Sequence, residues 1–494
     1  MGVHYVGELS DPNSPTRAAF DHLSEGRLQW NPMPDIYDRI VIGGRAYDFP
    51  AGLDRFRDRM KAYFPGEAGA IDAYISAVEA AADASGLFFA EKALPRPVSR
   101  LAGPFLRWRF LRYANRITAS VLGSLTSNRE LIAVLTGQWG DYGLPRGQSS
   151  FGIHAIIAHH YFGGASYPVG GASRIAAGIA PVIERWGGRI VVSAEVARIL
   201  TTPEGRAAGV RMADGREFRA KTVISDAGAL NTLGRLLDPE LAAGLGVLEP
   251  LQSIPPSMSH LCLYVGLKHA DSAPDFGATN LWIYDDADHD SSVARFAADP
   301  SQPFPALFVS FPSAKDPSFQ DRFPGRSTIE VVAPVPYGWF AQWADTRWKK
   351  RGAGYDQLKQ YFNQRLRGEL ERHVPAVRGY IDYTELSTPL STRHFANYAQ
   401  GEIYGLSAVP ARFRLRDLGA RTPVRNLYLT GADVTSLGVT GALFGGVVTA
   451  SLALGRNLMS VVTRPEPVRQ ILKVPDACQQ VRSRPRLETS NPSH

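Results

Sequence analysis

Asp433 is the only acid in a long stretch that otherwise offers backbone rather than side-chain chemistry. A short apolar run, Leu427-Tyr428-Leu429, stops at Thr430-Gly431-Ala432. After Asp433 comes an uncharged segment with Gly438, Gly441, Gly445 and Gly446. A buried strand, a glycine turn and a helix produce this pattern. Such a turn brings backbone N–H groups and a helix N-terminus to a ligand carrying negative charge. Asp433, at the strand end, could accept hydrogen bonds from a ligand's hydroxyls. Two plainer readings compete. Val434 to Gly455 is uncharged and long enough to span a membrane, with Gly441 and Gly445 in a GxxxG. Its richness in Gly and Thr rather than Leu and Ile argues against a span. A core strand and helix without any ligand stays open.

Other clusters suggest chemistry less strongly. His154, His159 and His160 lie close together, but no carboxylate stands beside them at ligand spacing. Packed helix histidines are expected, and no metal. Asp285, Asp286, Asp288 and Asp290 lack the glycine and closing glutamate of a calcium loop, so a solvated loop is expected. Cys262 and Cys478 form no CxxC pair, which fits a reducing compartment and excludes a cysteine-based zinc site. No signal peptide is read at Met1, so a cytoplasmic protein is expected. Net charge is +7, mostly from Arg, without a long basic block; nucleic acid is not suggested. Arg109, Arg112 and Arg116 share one helical face, with Leu106, Phe110 and Tyr113 on another. Basic and aromatic residues interleaved in this way suit a peripheral membrane surface, or a solvated face over an ordinary core.

The elements that must position these groups follow from periodicity. Tyr37 to Ile42 and Ala46 to Phe49 read as strands around Gly43-Gly44, and residues 51–93 carry helical spacing. Gly170-Gly171 opens a turn before a helix with Ile175, Ile179, Val182, Ile183 and Trp186, stopped by Gly187-Gly188. Ile190 to Val192, Val196 to Leu200 and Gly209 to Met212 read as strands. A buried strand, Thr222 to Ser225, ends at Asp226-Ala227-Gly228. Residues 231–400 alternate apolar strands with Pro- and Asp-rich loops and end in a helix from Tyr355 to Arg372. The expected division is 1–160, 161–230, 231–400, 401–462 and a disordered polar tail over 463–494.

These stretches resemble one superfamily. YPVGGASRIAAGIAPVIERWGGRIVVSAEVARIL, VISDAG and LYLTGADVTSLGVTGALFGG look like the FAD-dependent carotenoid desaturase, isomerase and retinol saturase proteins. FPSAKDPSFQDRFPGRST, Tyr337-Gly338-Trp339-Phe340, GVHYVGE and NPMPDIYD resemble the retinol saturase branch and its bacterial relatives. The implied fold is α/β: a Rossmann-like FAD/NAD(P)-binding domain with an interleaved α+β substrate domain. The family's opening GxGxxG, which holds the FAD pyrophosphate, does not occur in the 494 residues. The chain therefore resembles a member lacking its first βαβ unit, with FAD binding weakened accordingly.

The resemblance implies roles. Val196 would meet the adenosine part of FAD, and Asp226, Ala227 and Gly228 would line the nucleotide side. Gly431, Ala432 and Asp433 would follow the ribityl chain, and Gly438, Thr440, Gly441 and Ala442 would face the flavin's pyrimidine edge. The substrate would be an apolar polyene, reached from a membrane surface. The proton donor is not named; Tyr404 and His394 lie in the right region. Three classes compete: a polyene oxidoreductase, a non-catalytic surface- or partner-binding remnant, and an amine oxidase.

Overall fold

A computed structural model describes residues 3–94, 96–269 and 275–465. The polar tail expected at 463–494 lies outside the described residues from 466 on. The largest sheet has seven strands in the spatial order Ile381–Ser387, Ser259–Lys268, Arg326–Val335, Leu307–Ser310, Asn280–Tyr284, Ile36–Ile42 and Arg45–Pro50. Neighbours are antiparallel except Asn280–Tyr284 beside Ile36–Ile42, which run parallel. Residues from the first fifty positions thus complete a sheet built from residues 259–387. Alternation decides the faces: Leu261, Leu263, Val265 and Leu267 are all buried, as are Ile329, Val331 and Ala333 on the paired strand.

One face of this sheet is covered by the helix Ala353–His373, which buries Phe362, Leu366 and Leu370 at helical spacing. The end formed by Ile36–Ile42 packs into a helical layer, Leu53–Tyr63, Ala68–Glu91 and Phe151–Phe162. The helix Arg96–Ala114 lies across this layer. Phe110, expected on its aromatic face, is fully buried against Phe88 and Phe413.

The nucleotide-like part is small. Leu427–Leu429 pairs in parallel with Val223–Ser225, and these two strands form a sheet of their own. An antiparallel sheet of Val196–Thr201, Ala207–Met212 and Glu217–Arg219 lies beside it. Ile190 to Val192, expected as a strand, is irregular and exposed. Extended apolar residues become a strand only against a partner ladder, and no described strand lies alongside. Ile183 of the helix Ser173–Arg185, Trp186 at its C-cap, and Ile224 of Val223–Ser225 are likewise exposed.

His154 is buried in the helical layer, its Nε2 2.9 Å from the Tyr74 hydroxyl and its Nδ1 3.1 Å from the Tyr142 hydroxyl. His160 is half-buried and its Nε2 accepts the Gly7 N–H, while His159 is partly exposed; among the described residues no cluster could hold a metal ion. Burial lowers the His154 pKa to about 3. Below about pH 6.5 the unfolded chain takes up a proton that the native imidazole refuses, so stability falls as pH drops from there toward about 3 and is intact above it. His4, at about 3, and His260, at about 4, act in the same sense. Acidification from about pH 7 to about pH 4.5 is expected to lower the melting temperature. A His154→Gln variant should show a shallower fall, by about 1.4 kcal/mol per pH unit, measured by calorimetry across that range.

Candidate active site

The helix Gly438–Leu454 begins at Leu437, which makes no side-chain cap bond. Its first-turn N–H groups therefore have no intrahelical partner. That turn faces a cavity of about 640 Å³ lined by Gly438, Val439, Thr440 and Gly441. Thr440 Oγ1 is buried there without a hydrogen-bond partner. Two glycines hold the helix in place. A Cβ on Gly445 would meet the backbone of Gly431, and one on Gly441 would meet the Ser436 carbonyl. The helix thus sits directly on the strand-end turn, closer than any side chain would permit.

The cavity wall is largely apolar, with Phe89 from Ala68–Glu91, Ile156 and Ile157 from Phe151–Phe162, and Phe444 and Val448 from the glycine-rich helix. Polar groups line it too, among them His4, Tyr5, Glu8, Asp141, His160 and Tyr404. A second, smaller chamber of about 60 Å³ shares His4, Asp141 and Tyr404 and continues to Trp139, His260, Trp282 and Phe308. Trp139 Nε1 and His260 Nδ1 are buried and unpartnered.

Beside Tyr5 lies Asp38, fully buried. The Tyr5 hydroxyl donates to its Oδ2 at 2.9 Å, Gln138 Nε2 at 2.7 Å and Trp282 Nε1 at 3.1 Å, while Asn280 Nδ2 donates to Oδ1 at 2.9 Å. Burial raises the Asp38 pKa and these donors oppose it. Burial, then the charge of Asp38, push the Asp141 carboxyl well above the usual range. Burial also raises the Tyr404 phenol.

The residues expected to hold the cofactor fall into three groups. Asp226, Ala227 and Gly228 meet Gly431, Ala432 and Asp433 at the ends of the paired strands. Asp433 is buried, accepts the Ala229 N–H at 2.8 Å and lies 3.7 Å from the Arg412 guanidinium. Its carboxylate is thus engaged within the protein. Burial, then the charge of Asp433, raise Asp226. Gly438, Thr440 and Gly441 line the cavity, with Ala442 next in the helix. Val196 pairs with Met212 in the separate antiparallel sheet. Of the two proton-donor candidates, Tyr404 lines both chambers, whereas His394 stacks on Trp348 at 4.7 Å beside a different groove. The acidic loop is solvated and structural: Asp288 caps the helix His289–Ala298, and Asp286 pairs with Arg295.

Sequence reasoning missed Tyr5, Asp38 and Asp141. A signal for Asp38 was present. In the apolar strand Ile36–Ile42 it shares parity with Ile40 and Ile42, which puts a carboxylate on the core face.

Fold and site together define a flavin-dependent oxidoreductase. The flavin containing amine oxidoreductase family model matches residues 141–454, and the chain belongs to this FAD-dependent family. It is similar to the all-trans-retinol 13,14-reductase of Danio rerio, 36% identical over 476 residues covering 93% of this chain and 78% of that protein. The Rattus norvegicus all-trans-retinol 13,14-reductase is 33% identical over 477 residues, with 93% and 78% covered. An oxidoreductase from Methanosarcina mazei shares the fold, with a TM-score of 0.54, 17% identity, and 91% of this chain and 87% of that one covered. No described helix is long and apolar enough to cross a membrane.

The residues present fit the ring end of FAD. An uncapped helix turn and the orphaned Thr440 hydroxyl offer partners for a polar ring edge. No glycine-rich pyrophosphate loop of the GxGxxG type exists in the sequence, and Val223–Ser225 pairs with Leu427–Leu429 alone.

Gly445→Ala is expected to destabilise the fold by about 1–3 kcal/mol, because backbone rather than a movable side chain opposes the added methyl. Urea unfolding of variant and parent checks this.

Proposed function

We propose that this protein reduces a carbon–carbon double bond of a conjugated polyene of the retinoid type, with FAD as its cofactor. The observation that carries this reading is the cavity itself. It is lined by the uncapped turn of Gly438–Leu454, by an apolar wall and by Asp141 and Tyr404. Its volume suits a ligand of that size. The likeness to proteins named all-trans-retinol 13,14-reductase favours a retinoid and favours reduction.

Gly438, Thr440 and Gly441 would hold the pyrimidine edge of the flavin, which supplies a hydride equivalent when reduced. The positive end of the helix dipole would favour the anionic reduced ring. Phe89, Ile156, Ile157 and Phe444 exclude water and align an apolar chain along the cavity. Asp141 and Tyr404 carry the dissociable protons beside that chain.

Entry from a membrane surface is part of this reading. On the helix Arg96–Ala114, Val98, Leu101, Phe105 and Trp108 are exposed along one face, Leu101 at 87% and Phe105 at 73%. Arg100, Arg109 and Arg116 are exposed on the same stretch. This suits partial insertion into an anionic lipid surface. The helix packs on Ala68–Glu91, which contributes Gly86 and Phe89 to the cavity.

The flavin-loaded chain, reduced without oxygen and mixed with all-trans-retinol, is expected to give a product heavier by two hydrogens with shortened conjugation, seen by mass and absorbance. Hydrogen peroxide release from amines, with the polyene untouched, would overturn the proposal. Vesicles containing phosphatidylserine should retain the chain in flotation, and a Leu101→Ser, Phe105→Ser double variant should lose most of that binding at unchanged melting temperature.

A further inference from the structure

Three oxygen-bearing groups meet beneath the cavity, and their protons can be counted. Tyr5 has one hydroxyl proton. Its oxygen lies 2.9 Å from Asp38 Oδ2 and 3.0 Å from Asp141 Oδ2. Asp38 also accepts from Gln138, Trp282 and Asn280 and carries no exposed surface. Four donors aimed at one carboxyl fit a carboxylate and leave it no need of a proton of its own. Tyr5 then gives its proton to Asp38. Its contact with Asp141 becomes a hydrogen bond only when Asp141 is protonated and donates to the Tyr5 oxygen.

The two carboxyls differ in position as well. Asp38 faces only protein, while Asp141 is partly exposed and lines both chambers. The titratable groups facing this junction are Tyr5 and His4 from the N-terminal segment, Tyr37 and Asp38 from Ile36–Ile42, Tyr161 from Phe151–Phe162, and Tyr404, with Tyr142, Tyr284 and His260 behind them. Lys315, the buried cation near them, is engaged by the His4 carbonyl, Ser310 Oγ and Asn280 Oδ1. It stands on the Asp38 side of the junction.

We propose that Asp141 is a neutral carboxylic acid, held so by the Tyr5–Asp38 pair, and that it donates the proton that completes reduction of the double bond. This rests on the reading of the cavity as a polyene site. Adding hydrogen across the double bond takes a hydride equivalent at one carbon, which a bound reduced flavin would supply, and a proton at the other. The carboxyl of Asp141 turns about its Cβ–Cγ bond into the cavity. Its O–H bond breaks as the new C–H bond forms, and the carboxylate left behind regains a proton from water. Tyr5 and Asp38 are positioning residues. Asp38 keeps its charge, so a second negative charge at Asp141 is disfavoured and the acid form is restored after each turnover.

Infrared spectroscopy of the full chain and turnover of the flavin-loaded protein test this together. The wild type at about pH 8 should show the carbonyl stretch of a buried protonated carboxyl, shifting in D₂O, and Asp141→Asn should lack it. The asparagine amide can still donate to Tyr5, so folding is kept. Polyene reduction by Asp141→Asn should fall by about 10²- to 10⁴-fold with retinol affinity unchanged. Reduction in D₂O by the wild type should place two solvent deuterons on the product, one with the hydride equivalent, because the N–H of a reduced flavin exchanges with solvent, and one as the proton. A wild type without the protonated band, or an Asp141→Asn variant that keeps either the band or full turnover, overturns the role of Asp141. A wild type that carries the band but reduces no polyene overturns the polyene reading itself, and with it proton delivery.

Discussion

The buried carboxylate of Asp38 governs how the segments of this fold meet. A lone ionised carboxylate in a protein interior is strongly disfavoured unless donors surround it. Here the donors come from four separate positions: Tyr5, Gln138, Asn280 and Trp282. Satisfying one charge thus fastens the N-terminal segment, the turn before Asp141 and the strand Asn280–Tyr284 to Ile36–Ile42. Lys315 extends the junction through Asn280 to the short helix Pro312–Lys315 that follows Leu307–Ser310. Removing one partner of such a buried set typically costs about 3–5 kcal/mol. The same junction fixes the floor of the cavity, so folding and chemistry share it.

A second constraint acts at the opposite end. The helix Gly438–Leu454 can present its first turn to the cavity only because Gly445 and Gly441 let it lie on backbone. Two basic side chains steady the turn. Lys92 is half-buried and donates to the carbonyls of Leu418 and Val434 at 2.8 and 2.7 Å, and desolvation lowers its pKa to about 7. Arg412 holds the Ala432 carbonyl and lies beside Asp433. The strand-end carboxylate is therefore an anchor for the turn. Its neighbour Gly431 faces Asp226 across the paired strands.

The periodic elements are legible in the sequence. The strands at Ile36–Ile42, Ser259–Lys268 and Arg326–Val335 and the helix Ala353–His373 lie where alternation and helical spacing put them. So do the strand, turn and helix of Leu427 to Leu454. The run Ile190 to Val192 has the composition of a strand and is not one, because pairing depends on a neighbour that composition does not report. Phe110 is core, as the reading of a solvated basic face over an ordinary core has it. The exposed apolar residues are instead Val98, Leu101, Phe105 and Trp108, a face set by how the helix leans on Ala68–Glu91. His394 and Tyr404 are ten residues apart in the chain, yet only Tyr404 reaches the cavity.

The local order of elements, the glycine-rich helix start and the family all reside in short patterns of apolar, glycine and charged residues, and so were open to reading from the chain alone. Which carboxylates meet was settled by the tertiary fold. Tyr5 bonds partners 33 and 136 residues away, and Asn280 reaches Asp38 across 242 residues. Proximity of that kind carries no local signature. It arises when a buried charge collects its donors from whichever segments the fold brings past it.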